Sequence, residues 1–263
     1  KGKDVDLYPR LQEMTTENPL VLKTKLLKSI ISETAFAASL QESRPILTGV
    51  HMVLSEQKEF KAVATDSHRM SQRKLTLENT SANFNMVIPS KSLREFSAVF
   101  TDDIETVEVF FSDSQVLFRS DYISFYTRLL EGNYPDTDRL LTNSFETEVT
   151  FNTAALRSAM ERAYLISNAT QNGTVKLEIT SDSISSHVNS PEVGKVNEEL
   201  DSISQSGSDL TISFNPTYLI EALKALKSET VMIRFISPVR PFTLMPGDDT
   251  ENFVQLITPV RTN

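Results

Sequence analysis

The sequence predicts an α+β protein made of two copies of one domain, each with two helices packed on antiparallel sheet. Three observations carry that expectation. At 263 residues the chain is long enough for two domains with cores of their own. One order of elements (helix, strands, helix, strands) fills residues 21–136 and is repeated over 137–263. Equivalent positions recur at a long, nearly constant spacing: Thr24 and Thr153 are 129 residues apart, Pro89 and Asn215 126. Such a period is too long for a solenoid and suits a duplicated domain.

Residues 1–20 are polar and irregular, with Pro9 and Pro19, and read as a linker or the tail of something upstream. In the first unit Thr24 can cap a helix over 24–40. Leu27, Ile30, Ile31, Ala35 and Ala38 form its apolar face, and Lys25, Lys28, Ser29 and Ser32 a narrow polar one. Strands are expected over 47–54, 60–65, 69–75 and 85–89. Ser90 opens a second helix over 90–100, with Leu93, Phe96 and Phe100 inward and Lys91 and Arg94 outward. Strands over 106–112, 115–120 and 122–130 follow, and the turn Glu131-Gly132-Asn133-Tyr134-Pro135-Asp136 closes the unit. The second unit has a helix over 153–167, strands over 174–179 and 183–188, a polar loop over 189–196 and a strand over 210–214. Asn215 as N-cap and Pro216 at the first position start a helix over 215–227. Strands over 231–237, 241–245 and 253–259 end the chain.

Composition removes several classes of chemistry. The seven glycines are isolated, so neither G-x-G-x-x-G nor G-x-x-x-x-G-K can be written. Three histidines lie far apart with no H-E-x-x-H, and without cysteine there is no disulfide or thiolate zinc site. No cofactor and no metal is expected. No apolar run approaches the roughly 20 residues needed to span a bilayer, so no membrane partner is expected either. The formal charge of -9 should repel nucleic acid unless the cations are gathered on one face. The four expected helices gather them: Lys25, Lys28, Lys91, Arg94, Arg157, Arg162, Lys224 and Lys227 stand against only Glu33, Glu95, Glu161 and Glu221. A shared side would give a basic surface attractive to phosphate without base readout.

The most concentrated chemistry is in the stretch from Lys61 to Arg73, where Thr65-Asp66-Ser67-His68-Arg69 ends a short apolar strand. His68 as a general base, with Ser67 or Thr65 as nucleophile, would make a hydrolase or nuclease using His68 and nearby acids. No glycine-rich oxyanion loop accompanies it. The alternative is that Asp66 fixes a turn through side-chain-to-backbone bonds at the polar rim of a binding pocket. The acids Asp102-Asp103 and 248–251 read as solvated turn residues.

Four motifs in order resemble the bacterial DNA polymerase III beta subunit, the sliding-clamp family. They are Ser43-Arg44-Pro45-Ile46-Leu47-Thr48-Gly49-Val50, Ala64-Thr65-Asp66-Ser67-His68-Arg69-Met70, Leu129-Leu130-Glu131-Gly132-Asn133-Tyr134-Pro135-Asp136 and Leu256-Ile257-Thr258-Pro259-Val260-Arg261. The resemblance covers the chain from about residue 8 and fits the family's second and third domains, over 21–136 and 137–263, with 1–20 as the remnant of a first. It implies a cytoplasmic, non-catalytic processivity factor. In the full-length homodimer such a factor encircles duplex DNA, and a chain lacking the first domain is expected not to close that ring. Lys25, Lys28, Lys91, Arg94, Arg157, Arg162, Lys224 and Lys227 would line the DNA channel, with Gln41 and Arg44 at its rim.

The resemblance also implies a pocket between the domains for Gln-x-Leu-Phe-like peptides. These would come from the alpha-type polymerase subunit, the clamp loader and repair polymerases. Its lining would be Arg44, Ile46, Leu47, Thr65, Ser67, His68, Arg69, Met70, Pro135, Arg139, Leu140, Pro241, Leu256, Thr258, Pro259, Val260 and Arg261. Leu47, Met70, Leu140, Leu256 and Val260 are the expected apolar floor; His68, Arg69, Arg139 and Arg261 are the expected polar contacts. Leu165-Ile166 and Glu198-Glu199 fall near the family's ring interface. The sequence departs from the family where Met70 replaces a common Leu, Ser67 a common Gly and Thr258 an apolar residue, and where Thr262-Asn263 extends the ending.

Overall fold

A computed structural model describes Met14 and residues 18–78, 80–142, 144–167, 173–190 and 194–261. Most of the expected linker over 1–20, and Thr262-Asn263, lie outside the described residues. The first unit opens with β1 (Leu20–Lys23) and α1 (Thr24–Thr34). It continues through β2 (Gly49–Leu54), β3 (Glu59–Thr65), β4 (Arg69–Thr76), β5 (Phe84–Pro89), α2 (Ser90–Val99), β6 (Thr106–Phe111), β7 (Gln115–Arg119) and β8 (Ser124–Arg128). The second contains β9 (Thr147–Asn152), α3 (Thr153–Ser167), β10 (Val175–Ile179), β11 (Ile184–Ser190), β12 (Gly194–Glu199) and β13 (Ser202–Gly207). After these come β14 (Leu210–Phe214), α4 (Pro216–Ala225), β15 (Thr230–Phe235), β16 (Phe242–Pro246) and β17 (Phe253–Ile257).

Both units follow one strand plan. The sheet order β1-β6-β7-β8 recurs as β9-β15-β16-β17, and β4-β3-β2-β5 recurs as β12-β11-β10-β14, with β13 added beside β9. The copies are then fused. β17 pairs antiparallel with β4, from Phe253 opposite Arg73 to Ile257 opposite Arg69, making one nine-stranded sheet across both units. Each unit has its own core. In the first, Phe96 stacks on Phe100 at 4.3 Å and leans on Phe118 at 4.7 Å between the helices and both sheets. In the second, Phe242 packs between Phe214 and Phe235, at 5.3 Å from each. The helices share a layer: α1 touches α2 and α4, and α4 packs on α3, while α1 rests on β3 and β4 and α4 on β17.

Several expectations are corrected. Helix α1 ends at Thr34, and a 3-10 turn, Ala35–Ala37, replaces its last part. Thr24 does not cap it: the residue is fully buried as the first helical residue, and its N–H bonds the Glu105 carbonyl at 3.0 Å. Helix α4 ends at Ala225, but its Asn215 cap forms, accepting from the Thr217 N–H at 2.9 Å. The strand expected over 47–54 begins at Gly49, because Pro45 starts a 3-10 turn, Pro45–Thr48. Of the polar loop expected over 189–196, residues 189–190 and 194–196 belong to strands β11 and β12, residues 191–193 lie outside the described residues, and β13 follows unforeseen. These strands are polar because β12 and β13 are sheet edges, where an outward face and an open ladder favour water-compatible side chains.

Two features yield measurable consequences. A Cβ on Gly49 would stand 2.6 Å from Val87 Cγ1 and 2.8 Å from both the Ile88 carbonyl oxygen and Leu130 Cδ1. Gly49→Ala is therefore expected to lower unfolding stability by about 2 kcal/mol, read by urea denaturation. Asp249 joins the units by pairing with Arg73. Burial alone would raise its pKa, but the bonds from Arg73 and Asn252 outweigh burial and hold it below the ordinary aspartate value. A depressed folded pKa gives stability that is present above the ordinary value and is lost as pH falls through the folded one. Asp249→Asn should therefore lose less stability than the parent as pH is lowered below about 4. Urea midpoints across that range check it, and parallel pH curves would count against the pairing.

Candidate functional site

The turn between β3 and β4 is built by its own side chains. Asp66 Oδ1 accepts from the His68 and Arg69 N–H groups at 2.9 and 3.0 Å. Thr65 Oγ1 accepts from the Ser67 N–H at 3.1 Å and donates to the Arg69 carbonyl at 2.6 Å. These bonds hold Ser67 at φ +80°, in the left-handed region that favours glycine. The Arg44 guanidinium donates to Ser67 Oγ at 3.1 Å, and the Thr65 N–H donates to the Tyr134 hydroxyl at 3.1 Å.

No catalytic pair exists in this geometry. The Asp66 carboxylate is taken by backbone N–H groups and by Arg69 Nε at 3.0 Å, rather than by the His68 ring. The Thr65 hydroxyl is engaged within the turn and the Ser67 hydroxyl by Arg44, and the exposed His68 ring lies parallel to Tyr218 at 6.3 Å. The hydrolase or nuclease reading has no support.

Arg69 serves the junction between units. Its Nη1 pairs with Glu221 on α4, its Nη2 donates to the Phe36 carbonyl at 2.9 Å, and its Nε is on Asp66. Tyr218 lies under the guanidinium at 4.9 Å and Phe36 at 5.5 Å. With its nitrogens so committed, Arg69 ties the turn to α4 and to the segment after α1. Burial, with the nearby Asp66 carboxylate, pushes the Tyr218 hydroxyl above its ordinary pKa.

The other expected lining residues fall into three groups. The first is seated under cover. Met70, opposite Leu256 in the ladder, packs with Val63 beneath Tyr134 and Leu141, and Leu47 is buried in its 3-10 turn. The expected apolar floor is thus divided, because Leu140 and Val260 remain exposed. The second group borders the turn. The Thr258 N–H donates to the His68 carbonyl at 2.9 Å, and the tail then passes half-buried Pro259 to bond the Val260 N–H to the Ser213 carbonyl at 2.7 Å, leaving Arg261 exposed. Ile46 lies against Gly132. The third group stands on the connecting segment. Pro135 and Arg139 are exposed, Arg139 pairs with Asp136 at 2.7 Å, and Leu140 shares a small cleft with Pro241, Phe145 and Thr243. The sequence reading missed Tyr218, Tyr134 and Glu221. The Asn215-Pro216 start fixes the helix phase that presents Tyr218, but nothing local shows that it meets His68.

The helix layer carries the expected cations. Lys25, Lys91, Arg94, Arg162, Lys224 and Lys227 are exposed, as are Gln41 and Arg44 beyond α1, whereas Lys28 and Arg157 are half-buried. Some are partly neutralised: Lys28 pairs with Asp102 at 2.6 Å, Arg162 with Glu198 and Lys224 with Glu161 at 3.5 Å. Two helix acids are drawn away from the layer, Glu221 to Arg69 and Glu33 to Arg73 at 3.5 Å.

A duplicated α+β unit, joined through one sheet, with a cation-bearing helix layer and a turn whose carboxylate and hydroxyls are held in bonds within the protein, defines a binding scaffold. The profile described as "DNA polymerase III beta subunit, central domain" matches residues 21–136, and "DNA polymerase III beta subunit, C-terminal domain" matches 138–261. The beta sliding clamp of Streptococcus pneumoniae is 71% identical over this whole chain, which spans 70% of that protein, and that of Lactococcus lactis is 55% identical over 70% of its length. The crystal structure of the Streptococcus pyogenes DNA polymerase beta subunit superposes with a TM-score of 0.96 at 83% identity, over 100% of this chain and 71% of that one. The chain belongs to the DNA polymerase III beta subunit family. Its function is that of a sliding clamp, a non-catalytic processivity factor of the replicative polymerase.

Arg69→Lys would replace a fork serving three acceptors with a point charge. With Glu221 partly exposed, the expected loss is about 1–2 kcal/mol in urea unfolding. Arg139→Lys, on the exposed connecting segment, should change stability by less than about 0.5 kcal/mol.

Proposed function

We propose that residues 21–136 and 137–263 act as two consecutive clamp domains that hold duplex DNA on the helix layer and dock partner peptides in the cleft between them. Two separate cores and the two profile matches support the division. Lys25, Lys28, Lys91, Arg94, Arg157, Arg162, Lys224 and Lys227, with Gln41 and Arg44 at the rim, attract phosphate without reading bases, as sliding requires. The ring reading is supported by the sheet edges. Strand β8 is the counterpart of β17 and β12 the counterpart of β4, yet among the described residues neither is paired as β17 and β4 are. Chains that meet through such edges extend head to tail and close where the rotation allows, as in a homodimer. Exposed Leu165 lies on α3, which packs against β12, and would lie near that joint. Among the described residues no helix is long and apolar enough to cross a membrane; the replication role assigns the protein to the cytoplasm.

The observation that carries the cleft is the His68–Tyr218 stack across the unit boundary, flanked by the tail that runs from the His68 carbonyl to β14. Exposed Val260 and Arg261 lie on that tail and Arg44 bonds the turn at Ser67, while exposed Arg139 and Leu140 stand on the connecting segment. Apolar anchors bordered by cations suit a short peptide with a glutamine, leucine and phenylalanine, as carried by the polymerase, clamp-loader and repair partners of the family. A fluorescent Gln-Leu-Phe-type peptide should bind with about micromolar affinity, weakened about tenfold or more by His68→Ala or Arg261→Ala. Unchanged binding in both variants, or none in the parent, defeats the cleft assignment.

A further inference from the structure

The segment joining the units is fastened across the nine-stranded sheet at three points. Tyr134 stacks on His51 at 4.9 Å and accepts from the Thr65 N–H. Leu141 covers the Val63, Met70 and Leu256 cluster. Between these two, Asp138 opens a 3-10 turn, Asp138–Leu140, and sends its carboxylate down to the sheet. Its Oδ2 meets Lys61 Nζ at 2.7 Å and its Oδ1 faces Lys74 Nζ at 3.9 Å.

Lys61 and Lys74 are directly opposed partners in the β3–β4 ladder. Like charges in that position repel and call for an anion between them. Asp138 is the anion present, and Lys61, Lys74 and His51 are the cationic or titratable groups that face it. The bond from Lys61 holds its pKa below the ordinary aspartate value. Beside the turn lies a groove of about 330 Å³ lined by Phe60, Lys61, Lys74, Asp138 and Asn252, so packing does not fill that side. The next two residues, Arg139 and Leu140, are exposed on the segment that borders the cleft, and Leu140 shares its small cleft with Pro241.

We propose that Asp138 is a positioning residue for peptide docking: its carboxylate, shared between Lys61 and Lys74, sets where Arg139 and Leu140 stand at the cleft. This rests on the cleft assignment above. The hold is electrostatic and half-exposed, so it makes docking sensitive to ionic strength through a residue that need not touch the peptide.

The test compares the parent, Asp138→Asn and the charge-swapped double variant Lys61→Glu/Asp138→Lys. At low salt Asp138→Asn should bind the fluorescent Gln-Leu-Phe-type peptide about three- to fivefold more weakly, the scale of a half-exposed ion pair plus two unscreened lysines. The gap should close as salt rises from about 0.05 to about 0.5 M. Hydrogen exchange at the Leu140 and Leu141 amides should quicken, with a melting shift under about 2 °C. The swapped pair should restore affinity and slow exchange, which a merely structural residue would not do. Equal affinity and exchange in parent and Asp138→Asn, or a folded swap that restores neither, overturns the proposal. A parent that takes no peptide defeats the cleft assignment instead, and amide exchange then decides whether Asp138 holds the segment.

Discussion

The antiparallel ladder between β17 and β4 is the constraint on which the other features depend. Backbone pairing alone would tolerate a slip, but a slip of one residue turns every side chain to the wrong face. Here it would remove Leu256 from Met70 and Thr258 from the His68 carbonyl. Two arginines of β4 lock the register. Arg69 reaches Glu221 and stacks on Tyr218, while Arg73 reaches Asp249 and lies over Phe253 at 5.9 Å. Ion pairs of this kind add little net stability over a well-packed apolar contact, but they penalise arrangements that leave them unpaired. Their role is to fix one angle between two units that each fold around a separate core.

The same two arginines also act on the helix layer. Glu221 and Glu33 both belong to helices, and both turn their carboxylates toward the sheet arginines. Securing the junction therefore removes negative charge from the layer that carries the lysines. A protein with formal charge -9 can in this way present a cationic helix surface without an excess of basic residues overall. Strand plan and charge plan are linked, because the strand that joins the units also carries the cations that withdraw the helix acids.

Local signals in the sequence reached far into this fold and stopped where contacts become long-range. Helix α3 was expected over 153–167 and is described over Thr153–Ser167, and the Asn215-Pro216 pair gave the cap of α4. Asp66 was legible as a turn former because its partners are two and three residues away. Strand β12 was not, since an edge strand carrying Lys, Asn and Glu shares its composition with loops. Glu221 was read as a surface acid of a helix. Its partner lies 152 residues away, and only the ladder brings the two together. Arg69 was read as a peptide contact and its bonds within the protein were not foreseen, because its acceptors come from the turn, the segment after α1, and α4.

Ser67 shows what the proposed docking site would require that a catalytic one does not. A φ of +80° costs a non-glycine residue about 1 kcal/mol or more, and such a conformation persists only when its surroundings over-determine it. Thr65, Asp66 and Arg44 supply that determination, using the hydroxyl and carboxylate groups that a hydrolase would keep available for its substrate. For the proposed peptide ligand, rigidity of this kind would lower the ordering cost, so that binding free energy is not consumed in shaping the receptor. On the docking reading proposed above, the polar density of the turn is preorganisation: its hydroxyl and carboxylate groups bond within the protein, so the outer face, with His68 on Tyr218 and the tail beside it, keeps one shape.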